Sequence, residues 1–396
     1  MRNTARLAVL VLLAAPPAAW AATVYTVSAQ QLDGKISRIT NDGRLELVVG
    51  GKKSLIPLAK VFRITVQERA PVRPRSARED VWTVSGTHVC GTLLRSNQAL
   101  AILSSAVGRA IHLDVTRLLG VKFTRKKGDD IGEERFAAEM ARPNKETDVL
   151  FVISPKGTVP FNVAIGKIAP DTTAFNWDGE DRSIETARVA AVVFANSPAP
   201  GRAQVAARLV DTSVLRGSII SLKGGRLALD LSGTKLAVSM ANVVSIELTN
   251  PNIVYLSELQ PAAVREEPFF PTSFPVWKYR KDKSVGGNPI RLDGRKYVRG
   301  IGCHTRTTLT YDIGGQYKKF AAVIGIDDEA RPRGSVEFIA LADGKKILSK
   351  TLTGRDKAVP IALDIAGVKR LALITDFAAL ASVGDHADWA DARIMK

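Results

Sequence analysis

Between residues 22 and 250 one short pattern returns along the chain, and it restricts what this part can build. In the first occurrence Leu32-Asp33-Gly34 leads into Ile36 and Ile39, and Asn41-Asp42-Gly43 turns the chain. Leu45 and Leu47 then alternate with Glu46, Gly50-Gly51 turns it again, and Leu55 to Leu58 runs into the apolar stretch Val61 to Ile64. The last occurrence repeats this order from Leu215-Arg216-Gly217 through Gly224-Gly225, Leu227 to Leu231, Ser232-Gly233 and Leu236 to Val238, and closes on Val243 to Ile246. Two looser copies lie between them, from Cys90-Gly91 to Val121 and from Ile165-Gly166 to Val193. Period-2 alternation broken by Gly or Asn-Asp-Gly turns is the signature of β-hairpins. A unit of about 40 residues buries too little surface to stand alone, so about four such units must pair or curl into small barrels. The pattern resembles the Sm-like and SH3-like small barrels.

The connections between copies are of another character. Residues 68–80 are rich in Pro and Arg, 124–147 are highly charged with a single helix expected over 133–141, and 195–203 carry Pro198, Pro200 and Gly201. They lack hydrophobic periodicity and read as exposed linkers.

Beyond Tyr255 short alternating segments resume, at Leu309 to Tyr311, Phe320 to Ile326, Val336 to Ala340, Ile361 to Ile365 and Leu371 to Leu373. Many short strands with regular turns predict a sandwich or jelly roll. Four motifs punctuate them: Tyr255-Leu-Ser-Glu-Leu-Gln-Pro261, Gly300-Ile-Gly-Cys-His-Thr305, Ile324-Gly-Ile-Asp-Asp328, and Gly384-Asp-His-Ala-Asp-Trp-Ala-Asp391. Their order and spacing over 253–396 resemble the NPCBM family, a carbohydrate-binding module found beside glycoside hydrolases of family 98 and related to carbohydrate-binding module family 51. The resemblance implies a galactose-binding-like jelly roll that binds glycan without catalysis. The whole chain is thus expected to be all-β, with a C-terminal β-sandwich over 253–396 preceded by tandem small barrel-like repeats over 22–252.

A sugar site needs planar hydrogen-bonding groups for hydroxyl pairs and an aromatic face for the ring. His304, Asp327, Asp328, Asp385, His386 and Trp389 supply that inventory at strand ends and in loops. On a strand neighbouring side chains face opposite ways. Cys303 facing the core therefore puts His304 outward, and a Cys/His nucleophile pair fails on geometry. Trp389 in a final strand and the loop acids also fit purely structural roles. By analogy with related sugar-binding sandwiches, a structural calcium is expected where first and last strands meet, on Glu258, Asp388 and Asp391, although no EF-hand spacing supports it.

Residues 1–21 read as an export signal: Arg2 and Arg6 precede the apolar run Leu7 to Ala15, and Ala19-Trp20-Ala21 fits small-x-small cleavage. The run is too short to span a bilayer. Periplasmic, cell-surface or secreted placement follows. Net charge is +17, and loss of Arg2 and Arg6 leaves +15. The cations are spread along the chain without interleaved aromatics, which argues against nucleic acid and leaves a glycan, polysaccharide or anionic cell-surface polymer as partner. Two cysteines, Cys90 and Cys303, exclude a disulfide scaffold. Four histidines in all, no phosphate-binding Gly loop and no nucleophile elbow argue against an enzyme. The expectation is an exported, non-catalytic carbohydrate-binding protein. An envelope scaffold that binds protein instead, or an accessory part of a polysaccharide-degrading system, are the alternatives.

Overall fold

The computed structural model describes residues 20–396 except 29, 68–70, 97–98, 126–128, 143–145, 200–203, 269–276 and 380–382. The expected export signal, 1–21, lies almost wholly outside the described residues. The chain is nearly all β, with one α-helix, Glu133–Ala141, among the described residues. No helix among them is long and apolar enough to cross a membrane. Two compact units emerge, one of residues 1–24, 32–58 and 63–248, the other of 25–31, 59–62 and 249–396.

From 20 to 248 the chain uses one element order four times: a lead strand, a long bent strand, a six-residue strand, a second six-residue strand, a 3-10 turn of three residues and a closing strand. The copies occupy 20–65, 79–123, 148–193 and 205–248. In each, the lead strand pairs with both the long strand and the closing strand, and the two hairpins continue from the long strand. The long strand is bulged at the same place every time, at Ile36/Arg38, Leu93/Arg95, Ile165/Lys167 and Ile219/Ser221. The bend brings the next strand's backbone close. A Cβ on Gly34, Gly91 or Gly217 would stand 2.6, 2.4 or 2.1 Å from a carbonyl oxygen of that strand, so a bare Cα is required. The third copy departs here, with buried Val163 at the equivalent position.

Closing strands are apolar because they are covered on both sides. Leu118–Phe123 pairs antiparallel with Val189–Val193, joining copies two and three, and Val243–Leu248 pairs with Val61–Thr65 through Ser245 opposite Thr65. The helix is no exposed linker. Its Phe136 is buried against Trp82, 5.1 Å between rings, and its tip fills the space above Gly120.

Copies differ in how well their outer hairpin covers the core. Ile111 and Leu236 are buried on the second six-residue strand of copies two and four, whereas Ser54 and Arg182 are exposed at the same place in copies one and three. Leu47, Ile102 and Leu229 are fully buried on the first six-residue strand, and their counterpart Phe175 is only half-buried.

The second unit is a β-sandwich. One sheet runs in the order Arg280–Lys281, Gly300–Cys303, Ala387–Met395, Lys319–Ile326, Val359–Asp364, with Ile253–Tyr255 also pairing the central strand. The other runs Ala263–Glu266, Thr307–Asp312, Arg370–Phe377, Ser335–Ala342, Lys345–Thr353. Ile301, Phe320 and Trp389 from the first sheet meet Leu309, Phe338 and Leu371 from the second in one core. Cys303 faces that core, and burial pushes its thiol well above the ordinary value. Both cysteines are free and buried.

Candidate functional site

Three chain reversals converge at one end of the sandwich. The strand Gly300–Cys303 ends at His304, whose carbonyl accepts from Thr307 Oγ1 at 2.6 Å and from Thr375 Oγ1 at 3.1 Å. Two hydroxyls on one carbonyl hold the turn rigidly. Asp385 locks it from beneath: its Oδ2 accepts from Thr305 Oγ1 at 2.7 Å and its Oδ1 from the Ser335 amide at 2.8 Å. Asp385 is fully buried, and burial raises its carboxyl above the usual range in spite of those bonds.

The strand Lys319–Ile326 ends in Asp327, Asp328 and Glu329, and each carboxylate does a different job. Asp327 is buried and accepts from the amides of Arg291 and Glu329, both at 2.9 Å. Asp328 accepts from the amides of Asp293 and Gly294, at 3.0 and 2.7 Å, and so caps the turn of the 291–296 hairpin. Glu329 reaches sideways. Its Oε1 accepts from His386 Nδ1 at 2.7 Å and from the Gly286 amide at 3.2 Å, and its Oε2 accepts from Asn288 Nδ2 at 2.7 Å. Burial works to raise its carboxyl, but the bonds from Asn288, His386 and Ser284 hold it below the usual value.

Trp277 completes the cluster. Its indole stacks on the His304 imidazole, 5.3 Å between centroids and 9° between planes, and lies 5.3 Å from the His386 ring. The two imidazoles are 5.8 Å apart, edge to face. Trp277 keeps 40% of its surface exposed. His304 Nδ1 sits 3.0 Å from the Thr305 carbonyl, an acceptor only, so that nitrogen carries the proton. Burial, then the neighbouring His386, lower the His304 pKa, which keeps the ring neutral at pH 7. Its Nε2 is therefore a lone-pair acceptor with no partner among the described residues. The result is an aromatic platform flanked by two imidazole edges, a carboxylate and a carboxamide.

His304 and His386 of the six expected residues come together here. Asp327, Asp328 and Asp385 do not: their oxygens hold backbone amides and, for Asp385, also the Thr305 hydroxyl, and so shape the loops. Trp389 corrects the expectation outright. It is fully buried between the sheets, 5.3 Å from Phe338 in a T-shaped contact, and presents no face to a ligand. The aromatic that does so, Trp277, follows a Pro- and Phe-rich stretch without strand periodicity, and Asn288 sits in a Gly-rich loop. Neither carries a pattern signal. Glu329 was within reach, as the residue directly after the Asp327-Asp328 pair.

The expected calcium ligands are not brought together. Glu258 pairs with Arg299 at 3.0 Å. The Asp391 amide donates to the Arg299 carbonyl at 2.8 Å. Asp388 lies between Gly302 and Gly325 of the flanking strands, roofed by residues 283–285, which would stand 2.4 to 2.6 Å from a Cβ at 302. Burial, then the neighbouring Asp327 carboxylate, push its carboxyl well above the usual range. Among the described residues no three His, Cys, Asp or Glu side chains are grouped to hold a metal ion. Both Asp388 oxygens lack a hydrogen-bond partner among the described residues, but with Glu258 paired to Arg299 and no third acid grouped beside them the three residues do not make the several-oxygen shell that calcium takes.

Residues 252–395 match the family model described as the NPCBM/NEW2 domain. The resemblance read from the four motifs therefore holds for this region. Two curated relatives align with part of the chain. One, of Renibacterium salmoninarum, is named "Putative endo-alpha-N-acetylgalactosaminidase" and is 32% identical over 110 residues, 28% of this chain and 7% of that protein. The other, the alpha-1,3-galactosidase B of Akkermansia muciniphila, is 31% identical over 119 residues, 28% of this chain and 15% of that protein. The chain thus matches only a small fraction of either relative's length. Among solved structures, the CBM51 module of Clostridium perfringens GH95, in complex with methyl-galactose, is 27% identical with a TM-score of 0.32, covering 36% of this chain and 99% of that one.

Proposed function

We propose that this chain is an exported, non-catalytic glycan-binding protein whose C-terminal module reads a terminal galacto-configured sugar at the Trp277 platform. One observation carries the reading: Trp277, 40% exposed and stacked on His304, stands beside Glu329, His386 and Asn288. An axial O4 leaves one face of galactose or N-acetylgalactosamine rich in C–H groups, which suits the indole, and aims the hydroxyl at the platform's rim. His304 Nε2 would accept from a hydroxyl there, and Asn288 and Glu329 would bond a vicinal pair. The names of the two relatives, both concerned with galactosides or N-acetylgalactosaminides, support the choice of sugar. Glycoside hydrolysis needs two carboxyl groups about 5 to 9.5 Å apart and open to substrate. Among the described residues Glu329 is the one carboxylate in the cluster, with Asp327 held by backbone amides and Asp385 by an amide and the Thr305 hydroxyl, and that supports a non-catalytic role.

A glycan array probed with the mature chain tests the proposal. Binding should concentrate on terminal galactose or N-acetylgalactosamine. Trp277→Ala and His304→Ala should each weaken it about 5- to 150-fold, the equivalent of about 1 to 3 kcal/mol, with unchanged melting temperature. Folded variants that bind as tightly as the parent would remove this site. A parent that binds nothing on the array would favour the protein-binding scaffold, and release of free sugar from a bound polymer would overturn the non-catalytic reading.

A further inference from the structure

The outer hairpins of the four copies are treated unequally. Those of copies two and four touch each other: Thr234 Oγ1 donates to the His112 carbonyl at 3.2 Å, and Arg117 Nη1 donates to the Ser232 carbonyl at 2.7 Å. Those of copies one and three do not share in this. Strand Lys52–Pro57 pairs only with Arg44–Val49, and strand Glu180–Glu185 only with Thr172–Trp177, among the described residues. Each therefore offers a row of backbone donors and acceptors on its outer edge, which is a template for another strand. Both edges also border incompletely covered apolar surface. Leu55 is 50% and Val49 40% exposed in copy one, and Val159 is 40% exposed in copy three, near the Phe161–Trp177 pair.

Charge decides what fits. The tip of the copy-one edge is Lys52-Lys53, and the equivalent tip in copy three is Glu180-Asp181, all four exposed. Their present partners are local and exposed, so worth little: Lys53 lies 3.5 Å from Glu46, Glu180 accepts from Arg182 at 2.6 Å and Asp181 from Asn176 at 2.9 Å, with the Lys53 and Glu180 side chains 72% and 70% exposed. Overlaying the two strands in parallel sets Lys52 against Glu180, and overlaying them antiparallel sets Lys52 against Glu185. Two edges of one kind set like charges together when parallel, and when antiparallel set Lys52 against Pro57 or Glu180 against Glu185, so neither gains an attraction, whereas unlike edges attract in either direction. Within one chain the analogous strands of copies two and four already meet.

We propose that strand Lys52–Pro57 of one molecule and strand Glu180–Glu185 of a second molecule of this chain meet edge to edge. The contact uses different surfaces on the two partners, so it is head to tail and continues into a ring or a filament. It is independent of the glycan site. It would multiply the sugar-reading modules presented to a polymer.

Sedimentation velocity of the mature chain over a wide concentration series tests it. At low salt the wild type should form larger species as concentration rises, and high salt should reverse this. The double variants Lys52→Glu/Lys53→Glu and Glu180→Lys/Asp181→Lys should each stay monomeric at every concentration. Their equimolar mixture should associate, because one variant's acidic edges meet the other's basic ones. Circular dichroism and melting temperature should match the wild type, since the changed side chains are exposed. A wild type that is monomeric throughout overturns the proposal. So do reversal variants that associate like the wild type, or a mixture no larger than its parts.

Discussion

Trp277 and Trp389 lie within one module and have opposite fates. Trp389 alternates inward on the central strand and fills the space between the sheets, so Trp389→Ala should cost about 3 to 5 kcal/mol and collapse the module's melting transition. Trp277→Ala removes a side chain already 40% exposed, and the transition should hold. Thermal unfolding of the two variants side by side distinguishes them, and equal losses would reject the assignment. Asp388 gives a second prediction at this scale. Burial raises its carboxyl well above the usual range, so the folded chain holds this proton to higher pH than the unfolded chain does, and stability falls as pH rises from the ordinary carboxylate range toward the folded value. Asp388→Asn keeps a neutral group that can donate to Asp327. It should raise the melting temperature at pH 7, with the gain shrinking as pH drops toward the ordinary carboxylate range. A variant less stable than the parent at pH 7 would contradict this.

The bent long strand is the element on which each copy depends. Its bulge recurs at the same position in all four copies, and three of them carry a glycine two residues earlier where the neighbouring carbonyl intrudes. Gly217→Ala should destabilise the first unit by about 1 to 3 kcal/mol, because the Asp230 carbonyl cannot retreat without breaking its ladder. Gly166→Ala is the control: its Cβ would find the Ala174 carbonyl at 3.5 Å, ordinary contact, and should cost little. Denaturant titration measures both, and equal midpoints would show that the close approach carries no weight. Turn composition alone marks these glycines as turn residues; the bend of the sheet gives them their packing role.

For the whole molecule, the matched span 252–395 should behave as a module. Residues 252–396 prepared alone should unfold in one cooperative transition, and an aggregated or gradual melt would reject that division. Chelator should leave this transition in place and added calcium should not raise it, because Glu258 is paired with Arg299 and the three acids form no common group among the described residues. A chelator-dependent fall in melting temperature, with calcium found in the untreated module, would reinstate the ion.

Much of the architecture was legible from local pattern. Alternation with period 2 and Gly turns marked the hairpins of 22–250 and the strands 307–312, 319–326, 335–342, 359–364 and 370–377, because a strand's two faces are written in adjacent residues. The same rule placed Cys303 inward, as observed; His304 turns from that core but is itself buried beneath Trp277. Which carboxylate would stay available was not legible. Asp327, Asp328 and Glu329 are consecutive and chemically alike, and only the positions of the Arg291, Asp293 and Asn288 donors, 35 to 41 residues away, separate two turn-holders from one site residue. The exposure of Trp277 and the burial of Trp389 were decided in the same way. An aromatic residue suits a core and a sugar equally well by its own chemistry, and the packing of two sheets assigned one to each.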